Sequence, residues 1–130
     1  MKLNLNLDVD WATLARYTLG LVFVVFGVNA FVGLVPTPEP SPEGGAFLGA
    51  LAATGYLLPL LKTVEIAAGV ALLLNRHVRL ALVALAPIVV NIVAYHAVLD
   101  PGGLLLALVV AGLEVYLIWD NREHLTWLLD

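Results

Sequence analysis

VRLALVALAPIVVNIVAYHAVL, residues 78–99, holds one charged residue, Arg79 in its first turn. Its 22 residues, at about 1.5 Å of rise each, match the roughly 30 Å of hydrocarbon that a helix must cross in a bilayer. The stretch is too long and too uniformly apolar to be one face of a helix in a small soluble core. Pro87 inside it predicts a kink and a carbonyl at Val83 without its helical donor.

Three further runs repeat the pattern. We place spans at residues 12–35, 56–74, 78–99 and 104–119. The first run follows a weakly charged N-terminus, and Val28-Asn29-Ala30 loosely resembles a cleavage site. The run is longer than a usual signal core, so it reads as a retained first span. Asn75 is a C-cap candidate, and the connections at 75–77 and 100–103 are short enough to make spans two, three and four antiparallel neighbours. The Pro-rich stretch 36–43 cannot continue a helix and reads as an outer loop, and 44–54 reads as a short interfacial helix ended by Gly55. Asp10 is an N-cap candidate and Trp11 an interfacial anchor. Residues 1–10, with Leu3, Leu5 and Leu7 alternating with polar residues, read as an interfacial arm, and a polar tail with Trp127 ends the chain. The expected fold is a single domain, an all-α integral membrane four-helix bundle running up and down, with one short extra helix between spans one and two.

Composition agrees. Of 130 residues, 62% are hydrophobic and 12% charged, against about 45–50% and about 25% in soluble domains. The mean hydropathy is +0.98. There is no basic stripe for nucleic acid. The absence of cysteine excludes a thiol–disulfide relay, thiolate-bound zinc and a protein-ligated iron–sulfur cluster in this chain. Lys2, Arg16, Arg76, Arg79 and Arg122 fall on one side of the four spans and only Lys62 toward the other. That asymmetry places both termini in the cytoplasm, and the expected location is the cell's inner or plasma membrane.

Ionisable side chains inside a span cost roughly 2.5–3.5 kcal/mol each at its centre, so those present need a reason. Lys62, Glu65, Asn91, Tyr95, His96 and Asn29 share a depth range in the outer half and form the candidate ligand-binding set. Arg16 and Glu114 lie at similar depth toward the inner ends of spans one and four and are expected to form a structural ion pair. The helical period puts Lys62, Glu65 and Gly69 on one face of span two, and Asn91 with Tyr95 on one face of span three. It also aligns Arg16 with Gly20, Phe23 and Gly27, where small residues permit close helix approach. His96 and Asn29 fit a single interior stripe less well.

Each group also has a bland reading. Lys62 and Glu65, three apart, lower their own burial cost as a neutral pair. Arg16 can snorkel to headgroups. His96 sits near a turn, as interfacial hydrogen-bonding histidines do, and His77 and His124 lie in polar flanks with no assigned task. No set of residues reads as catalytic. Haem would need facing histidines, and Glu65 with His96 gives two metal ligands at most, so neither a metal nor a resident cofactor is expected.

Arg16-Tyr17-Thr18-Leu19-Gly20, the Gly-rich end of span one, Lys62-Thr63-Val64-Glu65-Ile66-Ala67-Ala68-Gly69-Val70-Ala71-Leu72-Leu73-Leu74, and His96 closing span three together resemble the DoxX and DoxX-like family of small membrane proteins. The resemblance covers roughly residues 14–122. It implies a four-helix membrane fold, matched polar positions at Arg16, Glu65 and His96, and association with membrane redox complexes such as a thiosulfate:quinone oxidoreductase. It implies no single activity, and a chain without cysteine or a cofactor motif fits a quinone site or partner-subunit role better than autonomous redox catalysis.

Three functions stay open on the sequence. The first is a binding or accessory subunit whose outer cluster takes a quinone-like or other small amphipathic molecule, with Lys62 and His96 donating to carbonyl oxygens and Glu65 orienting Lys62 or exchanging a proton. The second is a structural or assembly subunit. The third is a transporter or proton path, against which the Leu- and Val-rich middle of the bundle argues. The partners expected are the lipid bilayer, other membrane or periplasmic redox subunits and a second copy in a homo-oligomer, with no nucleic acid.

Overall fold

The computed structural model describes residues 10–125. Residues 1–9 of the expected N-terminal arm at 1–10, and the tail around Trp127, lie outside the described residues. The described chain is helical: α1 (Trp11–Val32), α2 (Pro42–Ala53), α3 (Leu57–Leu74), α4 (Val78–Val98), α5 (Leu104–Asp120) and the single turn α6 (Arg122–Leu125), with a 3-10 turn at Pro101–Gly103 before α5. Helices α1, α3, α4 and α5 are long and apolar enough to cross a membrane. They run up and down, so that one end of the bundle, the chain-end side, holds Asp10 and α6 and the other the Pro-rich loop.

Local chemistry sets the boundaries. The Asp10 carboxylate caps α1, accepting from the Thr13 amide at 3.4 Å and the Thr13 hydroxyl at 2.5 Å. Those bonds to its charged form hold the Asp10 carboxyl below the usual carboxylate value. Helix α1 ends at Val32, three residues short of the expected boundary. Gly33 takes a left-handed conformation (φ 66°) and its amide closes on the Asn29 carbonyl at 2.8 Å, so a glycine cap stops the helix before Pro36 can.

The short helix begins at Pro42, two residues earlier than expected, and this shortens the predicted 36–43 loop. Ser41 is its N-cap, accepting from the Gly44 amide at 3.0 Å, and Pro42 occupies the first helical position, where its missing N–H costs nothing. Between α3 and α4, Asn75 (φ 55°) and His77 (φ 54°) are both left-handed, and the chain reverses in three residues. Asn75 is the C-cap that its position predicts. Helix α4 continues through Pro87.

The bundle closes around Leu19, Leu72, Leu82, Leu85 and Leu117, one ring of leucine from all four long helices. Helix α1 packs chiefly on α3, α3 on α4, and α4 on α5, and α5 returns to α1. The tightest seam is α1 against α3. A Cβ built on Gly69 would stand 2.8 Å from the Gly20 carbonyl oxygen, and one on Gly20 would stand 2.9 Å from the Gly69 carbonyl oxygen. The small residues on the Arg16 face are therefore what lets these helices touch backbone to backbone. On the outside, Leu80, Val90, Val98 and Leu105 are all more than two-thirds exposed, an apolar girdle of the kind that lipid covers.

Candidate functional site

Arg16, Glu65 and Glu114 are the buried charged residues among those described. They do not answer one another. The expected Arg16–Glu114 pair does not form. The Arg16 guanidinium donates to the Leu72 carbonyl at the end of α3, 56 residues away in sequence, and stacks beside Tyr17 with its carbon 4.7 Å from the ring centre. The physical reason is the helix end. The Leu72 carbonyl receives only a long bond from the Asn75 amide, at 3.3 Å, and belongs to the negative pole of the α3 dipole, so it attracts a guanidinium that formal charges alone would have assigned to Glu114. Both Glu114 oxygens are left without a hydrogen-bond partner among the described residues.

The Lys62–Glu65 pair does form. The Lys62 ammonium lies 3.3 Å from Glu65 Oε1, with the lysine side chain 27% exposed and the glutamate 7%. The next turns of the same face are Ala68, Gly69 and Leu72, all buried against neighbouring helices. Glu65 therefore sits inside the bundle and holds the lysine at its edge. The ammonium spends one of its three donors on Glu65.

The rest of the expected outer set scatters. Asn29 clamps the start of the Pro-rich loop, donating to the Val35 carbonyl at 2.9 Å and accepting from the Val35 amide at 2.7 Å. Asn91 is exposed on α4. Tyr95 and His96 belong to a corner at the loop end. Tyr95 packs on Phe47 of α2 with ring centres 5.7 Å apart, and His96 meets the Tyr95 ring edge-on at 4.8 Å. His96 Nδ1 donates to the Asp100 carbonyl at 3.0 Å, which leaves Nε2 as its other polar atom, and the Ser41 hydroxyl donates to the Leu99 carbonyl. These bonds fasten the start of α2 to the end of α4. Shared depth grouped the six residues, but depth carries no information on rotation about each helix axis, and among the described residues no hydrogen bond, ion pair or ring contact joins this corner to Lys62 and Glu65.

Two concavities lie elsewhere. One, at the chain-end side of the bundle, has a volume of about 560 Å³ and brings Arg79, His77 and His124 together with Asn75 and Asn121. The sequence reading gave those histidines no task, and their separation in the chain hid their convergence. The other is a groove of about 300 Å³ between α4 and α5, apolar except for Glu114.

No family model matches the chain, and no curated protein and no solved structure shows detectable similarity to it.

Among the described residues, no group of three histidine, aspartate or glutamate side chains is placed to hold a metal ion. The arrangement supports two kinds of chemistry. A partly exposed ammonium with spare donors can bind an oxygen acceptor, and a carboxyl in an apolar groove can bind a proton or a cation.

Proposed function

We propose that this chain is a DoxX-like integral membrane subunit that binds a small amphipathic, quinone-like molecule in support of a membrane redox system, without catalysis of its own. The observation that carries this reading is the Lys62–Glu65 pair, an ammonium fixed at 3.3 Å by a buried carboxylate and open at the bundle edge. A quinone has an apolar body for the lipid-facing girdle and carbonyl oxygens for the unspent ammonium donors. Glu65 fixes the lysine so that little side-chain entropy is lost on binding. His96 has its Nδ1 committed to the Asp100 carbonyl and offers a ligand only Nε2. The protein sits in an inner or plasma membrane with both termini cytoplasmic, because Arg16, Arg76, Arg79 and Arg122 gather at the chain-end side while Lys62 lies toward the loop end.

Titration of a short-chain quinone into the full chain in lipid nanodiscs tests the site. Saturable binding by the wild type is expected. The Lys62→Met/Glu65→Gln double variant, which removes both charges together, should bind about tenfold or more weakly, as loss of a charged hydrogen bond implies. Equal affinities, or no binding to either protein, would refute the assignment.

A second reading rests on Asn91. Its carboxamide is exposed on a membrane-spanning helix and has no hydrogen-bond partner among the described residues. Such a group gains about 0.6–2 kcal/mol by pairing with a polar group on another helix, which favours a role in assembly with a partner subunit or a second copy. Asn91→Leu is then expected to convert the associated protein to single chains in a cross-linking experiment in membranes. An unchanged cross-linking pattern would dismiss this role.

A further inference from the structure

The groove between α4 and α5 has no counterpart in the reading above and does not depend on it. Its walls are Ala86, Val89, Val90 and Val93 of α4 with Ala111, Val115 and Ile118 of α5. Val90 and Val115 are about two-thirds exposed, so the groove opens to the side of the bundle that lipid would cover. Glu114 is its one polar side chain, 2% exposed, with neither carboxyl oxygen bonded within the described residues.

A lone carboxyl among apolar side chains is stable in only two conditions: carrying its own proton, or held against a cation. We propose that Glu114 makes this groove a binding site for a small hydrophobic ammonium cation, taken in from the lipid side in exchange for the carboxyl proton. The balance is simple. The neutral acid and a monocation give a carboxylate–cation pair and one released proton, and no covalent bond other than O–H changes. The apolar walls cover the organic body of the cation, and the carboxylate answers its charge where water is absent and Coulomb attraction is strong. A volume of about 300 Å³ suits a small organic cation, at the lower end of ordinary ligand pockets.

Nothing nearby competes for Glu114. Helix α4 lines the groove with alanine and valine only. From α1, which also packs on α5, the ionisable side chains are Arg16, engaged by the Leu72 carbonyl, and exposed Tyr17. On α5 itself the other ionisable groups, Tyr116 and Asp120, are exposed, and Arg122, Glu123 and His124 lie past its end. Cation binding should therefore respond to acid through Glu114 alone.

The probe is benzyltrimethylammonium, titrated calorimetrically into the full chain in lipid nanodiscs. Neopentylbenzene, which has the same shape with carbon in place of the charged nitrogen, is the neutral control. The wild type should bind the cation saturably with buffer-dependent heats that report proton release. Where the carboxyl carries its proton, affinity should fall by about tenfold for each unit of acidification, as one-proton linkage requires. Glu114→Gln should bind at least about tenfold more weakly and release no proton, and Val93→Trp, which fills the groove and leaves the carboxyl in place, should also lose binding. No binding by the wild type, equal binding by Glu114→Gln, or equal response to the neutral control would overturn the proposal. A measurement on the wild type guards against a variant that fails to fold. Modification of Glu114 by a hydrophobic carbodiimide, read by mass spectrometry, should be slowed by the cation and not by neopentylbenzene, and an unchanged rate would also overturn it.

Discussion

Gly69→Leu is expected to destroy the bundle. Two of the three atoms in its way are backbone atoms: a Cβ at Gly69 would lie 2.8 Å from the Gly20 carbonyl oxygen and 3.1 Å from the Val24 amide nitrogen, with Val24 Cγ2 also at 2.8 Å. No rotamer change relieves that overlap, so α1 must move as a body. Overpacking alone costs about 1–3 kcal/mol. Moving α1 also withdraws Arg16 from the Leu72 carbonyl, a charged hydrogen bond worth about 1.5–3 kcal/mol. The sum is a large part of the roughly 5–15 kcal/mol that holds a typical domain together. In lipid no hydrophobic penalty opposes the separation of two apolar helices, so close packing is most of what this seam has. Denaturation in mixed micelles should show the variant unfolded or with its midpoint far lowered. Gly112→Leu is the control, because a side chain there meets nothing within 4 Å, and it should change stability by less than about 0.5 kcal/mol.

Lys62→Met should be the second most damaging change, at about 3 kcal/mol, the low end of the range for breaking a buried pair, because the lysine side chain is 27% exposed. The loss comes from Glu65, which would remain in the bundle as an uncompensated charge. Adding Glu65→Gln should therefore return most of the lost stability, although it removes a second native group. A double-mutant cycle in mixed micelles measures this coupling. If the double variant were as unstable as Lys62→Met alone, the pair would not be what holds these residues in place.

The architecture was legible because lipid-length apolar runs have few other uses, and Asn75, Gly55 and the Asp100–Gly103 turn marked their ends. The misplaced boundaries came from weighing proline above its neighbours. Gly33 ended α1 before Pro36, and Ser41 started a helix that Pro42 could enter. The glycine seam was also legible, since Arg16, Gly20, Phe23 and Gly27 fall on one helical face and all are buried.

The site was legible only in part. Lys62 and Glu65 are three apart on one helix, so local geometry suffices to pair them. Arg16 was misassigned because backbone carbonyls are invisible to a search for opposite charges. His96 bonds to a carbonyl four residues on, a contact that its place in the last turn of α4 could have suggested. Glu114 had been used up as the partner of Arg16, so its isolation emerged only once that guanidinium was seen elsewhere.

The Arg16–Leu72 bond also has a temporal side. Its acceptor is translated 56 residues after its donor, on the order of several seconds later at about 5–20 residues per second. Throughout that interval the nascent first span carries a guanidinium with no carbonyl to receive it. The first span is thus made before this bond can exist, and the bond can close only once synthesis has entered the last turn of α3.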